Sequence, residues 1–152
     1  MNKKILTGLI ILVILIIGCY FFTIQHTENN MKIPKSYKIV SNHENNILLS
    51  NGNNKIMIYE INSKDLNNSI KEYIKRNEEN YEIQTVDMKP ISKTIASNNN
   101  TTITKYWLLK NNKIYQVQMN NNESSNDQYA TDLLNSINES SFNKTSKNFL
   151  KI

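Results

Sequence analysis

Residues 101–119, TTITKYWLLKNNKIYQVQM, contain the clearest β pair of the sequence and decide its fold. Two runs rich in β-branched and aromatic side chains flank Asn111-Asn112, and a turn of two such residues is typical of a hairpin. Strands joined by so short a turn must pair in antiparallel fashion. The stretch therefore predicts an antiparallel sheet.

The residues before this hairpin repeat the pattern of short apolar runs and turn residues. Asn51-Gly52 separates the runs at 47–50 and 55–61, and both turn residues tolerate a positive φ. The run at 55–61 is apolar on both faces, which predicts a central strand packed on both sides. Further strands are predicted at 33–40, 81–88 and 91–97.

Two segments have the 3.6-residue period of amphipathic helices. The first begins near Ser63, a good N-cap residue, and its apolar stripe comprises Leu66, Ile70, Tyr73 and Ile74. The second runs from about Ser125 to Asn138, and its stripe comprises Tyr129, Ala130, Leu133, Leu134 and Ile137. The predicted fold class is α+β, with an antiparallel sheet covered by these two helices.

This order of elements resembles the PsbP-like α/β/α sandwich. The resemblance is carried by Ile33, Pro34 and Tyr37 in the first strand and by the strand-to-helix step YEINS at 59–63. Among such proteins, the chain looks most like small envelope lipoproteins of the DcrB type. The resemblance covers roughly 33–137 and implies an accessory or binding domain on an outer membrane face, with no catalytic residues to carry over.

An uncharged apolar run, ILTGLIILVILIIGCYFFTI at 5–24, follows Lys3 and Lys4. At 1.5 Å rise per residue, about twenty residues match a hydrocarbon core of about 30 Å, so the run predicts a transmembrane helix. Because basic flanks stay in the cytoplasm, we expect residues 1–4 inside the cell and the C-terminal domain outside. The predicted location is the cell membrane, with a single pass.

A second interpretation of the same run involves Cys19. The sequence Ile16-Ile17-Gly18-Cys19 resembles a lipobox, and the apolar residues before it fit the length of a signal-peptide core. In that case Cys19 would be the lipidated N-terminus of the mature protein. The run continues through YFF at 20–22, which favours the uncleaved anchor, and both alternatives tether the same domain.

These patterns divide the chain into five predicted segments. They are a cytoplasmic region at 1–4, the anchor at 5–24, a polar spacer at 25–31, an α+β domain at 32–138 and a flexible tail at 139–152.

The formal net charge of +5 is carried by dispersed lysines. A nucleic-acid interface would combine a dense basic stripe with arginines and stacking aromatics, so no nucleic-acid partner is predicted. Contact with an anionic membrane or wall polymer is compatible with this charge, but a merely solvated surface is the favoured interpretation. The single cysteine excludes an internal disulfide and a thiolate zinc site in the outer domain.

Residues suited to catalysis are few. His43 lies beside Glu44, but neither it nor His26 has a partner at metal-ligand spacing. Phosphate-binding glycine loops and a serine nucleophile elbow are missing from the sequence. An acidic cluster without the pattern of a calcium loop consists of Glu78, Glu79 and Glu82. We therefore predict a protein that is not an enzyme, with no catalytic residues, no cofactor and no metal.

Two functions fit this inventory. The first is binding of a protein partner or an envelope component through a sheet edge or a strand face. The second is a small-ligand receptor whose aromatic pocket lies near Trp107, with Tyr106 and Tyr115 as further members of the ligand surface. Aromatics at strand spacing also fit an ordinary core.

Overall fold

A computed structural model describes residues 25–121, 123 and 125–143. The described chain forms the strands β1 (Gln25–Glu28), β2 (Met31–Pro34), β3 (Lys38–Asn42), β4 (Asn46–Ser50), β5 (Lys55–Ile61), β6 (Glu82–Met88), β7 (Ile91–Ser97), β8 (Thr102–Lys110) and β9 (Lys113–Met119), the helices α1 (Leu66–Asn77) and α2 (Ser125–Ser136), and a 3-10 turn (Glu139–Ser141).

Seven strands form one antiparallel sheet in the order β3-β4-β5-β9-β8-β7-β6. The chain leaves β5, passes through α1 to the far edge of the sheet, and returns strand by strand until β9 pairs with β5. The strands β1 and β2 form a separate two-stranded sheet. The predicted α+β class, a mostly antiparallel sheet with two helices, is confirmed for the described residues.

Asparagine-rich turns fix the register of the hairpins. Asn111 and Asn112 have φ values of 53° and 60°, as the two-residue turn between β8 and β9 requires. Gly52 has a φ of 94° in the turn between β4 and β5. In the same turn, Asn51 Oδ1 accepts hydrogen bonds from the backbone N–H groups of Asn53 at 3.1 Å and Asn54 at 2.7 Å. The local sequence thus determines where these strands pair.

Each face of the sheet carries its own apolar cluster. The cluster under α2 also receives side chains from β2 and includes Met31, Ile33, Ile58, Tyr106, Tyr115, Val117, Leu133 and Leu134. The cluster under α1 is smaller and consists of Ile70, Tyr73, Ala96, Trp107 and Ile114, with Leu66 and Ile74 at its margin. The two helices therefore lie on opposite faces of the sheet.

The strand β5 lies in the middle of the sheet, between β4 and β9, as predicted. Its two faces are covered unequally. Ile58 is fully buried under α2, whereas Met57 on the opposite face is 37% exposed. The helix α1 thus leaves part of its own face of the sheet uncovered.

Two predicted boundaries differ from the structure. The predicted spacer at 25–31 contributes to the β1–β2 hairpin, and Met31 is fully buried in the larger cluster. The predicted tail begins with the 3-10 turn, and Phe142 is 4% exposed against Tyr115. The domain therefore extends beyond both predicted limits, because apolar side chains on each side complete the core under α2.

Several predicted features lie outside the described residues. They are the cytoplasmic region at 1–4, the anchor at 5–24 with Cys19, and the part of the predicted tail from residue 144 onward. Within the described part, no helix has the length and apolar character needed to cross a membrane.

The helix α1 begins at a different cap from the predicted Ser63. Asp65 is the N-cap, and its carboxylate accepts a hydrogen bond from the backbone N–H of Asn68 at 2.9 Å. Ser63 supports this cap, since its hydroxyl accepts a hydrogen bond from the N–H of Asp65 at 3.2 Å.

A charged cluster joins α2 to the sheet. Lys93 Nζ on β7 lies 2.6 Å from Asp127 Oδ1, and the hydroxyl of Tyr106 donates to the same oxygen at 2.7 Å. Partial burial favours a raised pKa for Asp127, but the hydrogen bonds from Lys93 and Tyr106 hold that pKa below its usual value. Burial and this carboxylate raise the pKa of Tyr106. The cluster therefore contains an ionised Asp127 at neutral pH.

Candidate functional site

A cavity of about 630 Å³ lies between α1 and the face of the sheet that α1 leaves partly uncovered. We call it the α1 cavity. It is lined by Ile61, Ser63, Asn68, Ser69, Glu72, Tyr73, Arg76, Asn77, Lys105, Trp107 and Gln116. Its volume is in the range of about 300–1,000 Å³ that is usual for small-molecule sites.

Strand pairing brings the inner wall of the α1 cavity together. Lys105 and Trp107 are two residues apart on β8, so their side chains share one face of the sheet. Gln116 on β9 lies directly opposite Trp107, and Gln118 lies opposite Lys105. Lys105 and Gln116 are therefore diagonal neighbours on one face, at a spacing of roughly 7–8 Å.

Trp107 forms the rigid floor of the α1 cavity. It is 2% exposed, and its ring centroid lies 5.6 Å from that of Tyr73 on α1, with the planes at 55°. Its indole N–H donates to the hydroxyl of Thr94 on β7 at 3.1 Å. Packing on one side and a hydrogen bond on the other hold the indole in one orientation.

Lys105 places an ammonium group against this aromatic wall. Its Nζ lies 4.2 Å from the centroid of the Tyr73 ring and 5.8 Å from that of Trp107. No ion pair or hydrogen bond joins the Lys105 side chain to another described residue. Burial, and to a smaller degree the charge of Arg76, lower the pKa of Lys105 to about 8.

Gln116 supplies an uncharged polar group at the same wall. The residue is 4% exposed, and within the described chain its side-chain amide has no hydrogen-bond partner. Without a partner there, the amide keeps unused hydrogen-bonding capacity at the cavity surface. Since the residue lines the α1 cavity, a ligand there can satisfy it.

The outer rim of the α1 cavity carries opposite charges on α1. Arg76 Nη2 lies 3.9 Å from Glu72 Oε2, with both side chains mostly exposed, and Arg76 Nε donates to the backbone carbonyl of Glu72 at 3.1 Å. Asn68 Nδ2 donates to Glu72 Oε1 at 3.1 Å. So exposed a pair contributes little to stability, and its geometry can adjust to a ligand.

The structure separates the three aromatic residues that the sequence suggested as one surface. Trp107 lines the α1 cavity, whereas Tyr106 and Tyr115 face α2 and are 0% and 1% exposed. The Tyr106 hydroxyl donates a hydrogen bond to Asp127, and Tyr115 stacks on Phe142 with ring centroids 6.2 Å apart. Burial and the nearby Glu60 carboxylate raise the pKa of Tyr115 to about 12. Tyr106 and Tyr115 are therefore core residues, and only Trp107 lies at the candidate site.

Sequence reasoning missed Tyr73, Lys105 and Gln116 as site residues. A signal for Lys105 was present, because it is two residues from Trp107 on the same strand and so must share its face. For Tyr73 and Gln116 the sequence suggests only an apolar helix stripe and a strand residue. Their meeting depends on where α1 crosses the sheet.

Metal-ligating residues do not gather in the part of the chain that the structure describes, where no group of three His, Cys, Asp or Glu side chains could hold an ion. His43 lies in the turn between β3 and β4, and its backbone N–H donates to the carbonyl of Asn46 at 2.8 Å. Cys19, the predicted lipidation site, lies outside the described residues.

Comparison with known proteins does not place the chain in a family. No protein-family model matches the sequence, and no curated protein matches it. The fold and the α1 cavity define its class in structural terms, as a small antiparallel α+β domain with a cationic, aromatic-walled cavity beside one helix.

Proposed function

We propose that the protein is a membrane-tethered, non-enzymatic domain that binds a small ligand in the α1 cavity. The observation that carries this proposal is the meeting of Lys105, Gln116 and Trp107 at one wall of a cavity of about 630 Å³. Lys105 and Gln116 have no side-chain hydrogen-bond partner among the described residues, so beside a rigid aromatic ring they are available to a ligand.

A binding role rather than a catalytic one is supported by the residues that line the α1 cavity. They include one carboxylate, Glu72, which is exposed and already contacts Asn68 and Arg76. Neither histidine nor cysteine is among these lining residues. Acid–base or nucleophilic catalysis needs a group paired with a positioned partner, and the lining offers none of that kind.

The proposed setting is the outer face of the cell membrane. It is supported by the apolar run at 5–24, the preceding Lys3 and Lys4, and a domain that begins within a few residues of that run. We further propose a PsbP-like sandwich, because α1 and α2 pack on opposite faces of one antiparallel sheet. Cys19 as a lipidation site remains the alternative to an uncleaved anchor.

The sole tryptophan makes the test direct, since Trp107 reports on the α1 cavity without interference. We expect a saturable change in its fluorescence when the full chain, in uncharged detergent micelles, is titrated with a broad panel of metabolites and glycans. A Lys71→Met variant serves as the control, because Lys71 is exposed on α1 and does not line the cavity. Unchanged fluorescence and unchanged melting temperature across the whole panel would contradict the proposal.

A second function, binding of a protein partner or envelope component, is favoured by apolar side chains near the edge strand β3. Val40 lies at a bulge in β3 and is 61% exposed, and Met57 on β5 is 37% exposed. A bulge hinders uncontrolled pairing along an edge strand while leaving side chains accessible.

Substituting Val40→Asp is expected to reduce at least fivefold the yield of any specific crosslinked complex formed in intact cells, because it places a charge in an apolar contact. The measurement is quantitative mass spectrometry of crosslinked material. Val86→Asp is the matched control, since Val86 is 42% exposed on β6 at the opposite edge of the sheet. Equal losses for the two variants, or no loss for either, would rule out a partner surface at β3.

A further inference from the structure

We propose that the ligand of the α1 cavity is a small organic anion whose single carboxylate lies between Lys105 and Gln116 and whose apolar part packs on Trp107 and Tyr73. This inference rests on the proposed binding function and specifies its ligand. Within the described residues it combines a cation without a counter-ion, a glutamine amide without a hydrogen-bond partner, and an aromatic wall, all at one cavity.

The charges around the α1 cavity favour an anion. The titratable residues that line it are Glu72, Tyr73, Arg76 and Lys105, so two cations face one carboxylate. Lys105 is the inner cation, and in the described chain no acid pairs with it. Taking an ammonium partly out of water is costly unless an opposite charge approaches it, and a carboxylate would supply that charge.

A cationic ligand fits this cavity poorly. The ring faces of Tyr73 and Trp107 are where a cation would bind, but Lys105 already lies over both rings. A second cation would also be repelled by Arg76 at the rim. The apolar part of the ligand therefore lies against the parts of the two rings that line the cavity and that Lys105 does not cover.

The side-chain amide of Gln116 is placed to donate a hydrogen bond to the second oxygen of the carboxylate. Its amide can donate hydrogen bonds, and it lies diagonally across β8 and β9 from Lys105. A carboxylate held between the two side chains would give both of them a partner. Glu72 at the rim disfavours more highly charged anions, since each further negative charge would be repelled by it.

The first test compares matched carboxylate and amide probes on the full chain in uncharged detergent micelles. We expect 4-fluorobenzoate to bind at least tenfold more tightly than 4-fluorobenzamide, measured by fluorine NMR line broadening and by Trp107 fluorescence. The substitution Lys105→Met should remove this preference, whereas Lys71→Met should keep it. Further pairs, such as acetate with acetamide, extend the comparison to ligands without a ring.

A measurement of stability distinguishes a binding role of Lys105 from a purely structural one. If Lys105 is retained for binding, Lys105→Met should raise the melting temperature by about 2–4 °C, because it removes a desolvated charge near Arg76. A binding loss accompanied by a lower melting temperature would show that Lys105 serves the fold and would overturn the inference.

The affinity for 4-fluorobenzoate should also fall as pH rises. Lys105 binds the anion only when protonated, and its pKa is lowered to about 8 by burial and by Arg76. Tyr73, which also lines the cavity, stays neutral in this range because burial raises its pKa. Between pH 7 and pH 9 we expect about a tenfold weaker affinity, since about a tenth of the Lys105 side chains remain charged one unit above the pKa.

The outcomes separate the inference from the function on which it rests. Equal affinity for the carboxylate and amide members of every pair, or a panel of binders that are all neutral or cationic, would overturn the anion assignment and leave a ligand-binding cavity. A pH-independent affinity for 4-fluorobenzoate would also overturn it. Failure of every compound in the broad panel would instead contradict the proposed function itself.

Discussion

The substitution Asp127→Ala is expected to lower the free energy of unfolding by about 3 kcal/mol, the lower end of the usual cost of removing one partner of a buried ion pair, because Lys93 is buried and Asp127 only partly so. Lys93 is 7% exposed, so its ammonium would lose the carboxylate oxygen 2.6 Å away without gaining full access to water. The Tyr106 hydroxyl would lose its acceptor as well. Urea unfolding of the full chain, followed by Trp107 fluorescence, measures the loss.

Two comparisons make this prediction specific. Asp87→Ala removes an exposed carboxylate that lies 3.8 Å from Lys89, and it should cost less than about 0.5 kcal/mol. Lys93→Met should cost less than Asp127→Ala, because the carboxylate left behind is 34% exposed and keeps its hydrogen bond from Tyr106. An Asp127→Ala variant as stable as Asp87→Ala would show that the cluster does not hold α2 to the sheet.

Local patterns in the sequence were sufficient for the elements that depend on neighbouring residues. The hairpin at Asn111-Asn112 and the turn at Gly52 were predictable because a positive φ is needed there and few residue types tolerate it. The stripe of α1 was predictable because its period needs no knowledge of its partner. The β1–β2 hairpin was missed, although Asn29 and Asn30 repeat the same Asn-Asn turn, because the surrounding residues are mostly polar.

The candidate site was less predictable than the fold because it depends on long-range packing. Alternation along β8 already places Tyr106 and Trp107 on opposite faces, so the three aromatic residues could not form one surface. Which of those faces would be left partly uncovered depends on the crossing position of α1. Alternation could place Lys105 on the face of Trp107, but only the structure shows that Lys105 and Gln116 lie beside a cavity without a partner among the described residues.

The C-terminal boundary of the domain leads to the second large effect. Phe142 lies outside the domain limits that the sequence suggested, yet it is 4% exposed and stacks on Tyr115 with the ring planes at 18°. The substitution Phe142→Ala should therefore lower the free energy of unfolding by about 3–5 kcal/mol, through lost burial and the cavity left behind. Urea unfolding of the full chain measures this loss.

A residue of a flexible tail would behave differently, since its truncation would cost almost nothing. Phe142→Leu is the graded control: it keeps most of the apolar volume but loses the stacking, so it should cost about 1–2 kcal/mol. The backbone N–H of Asn143 donates to Asn42 Oδ1 at 2.8 Å, so the chain beyond Phe142 is also held to β3. If alanine and leucine at position 142 both leave the unfolding midpoint unchanged, the ring does not belong to the core and the domain ends with α2.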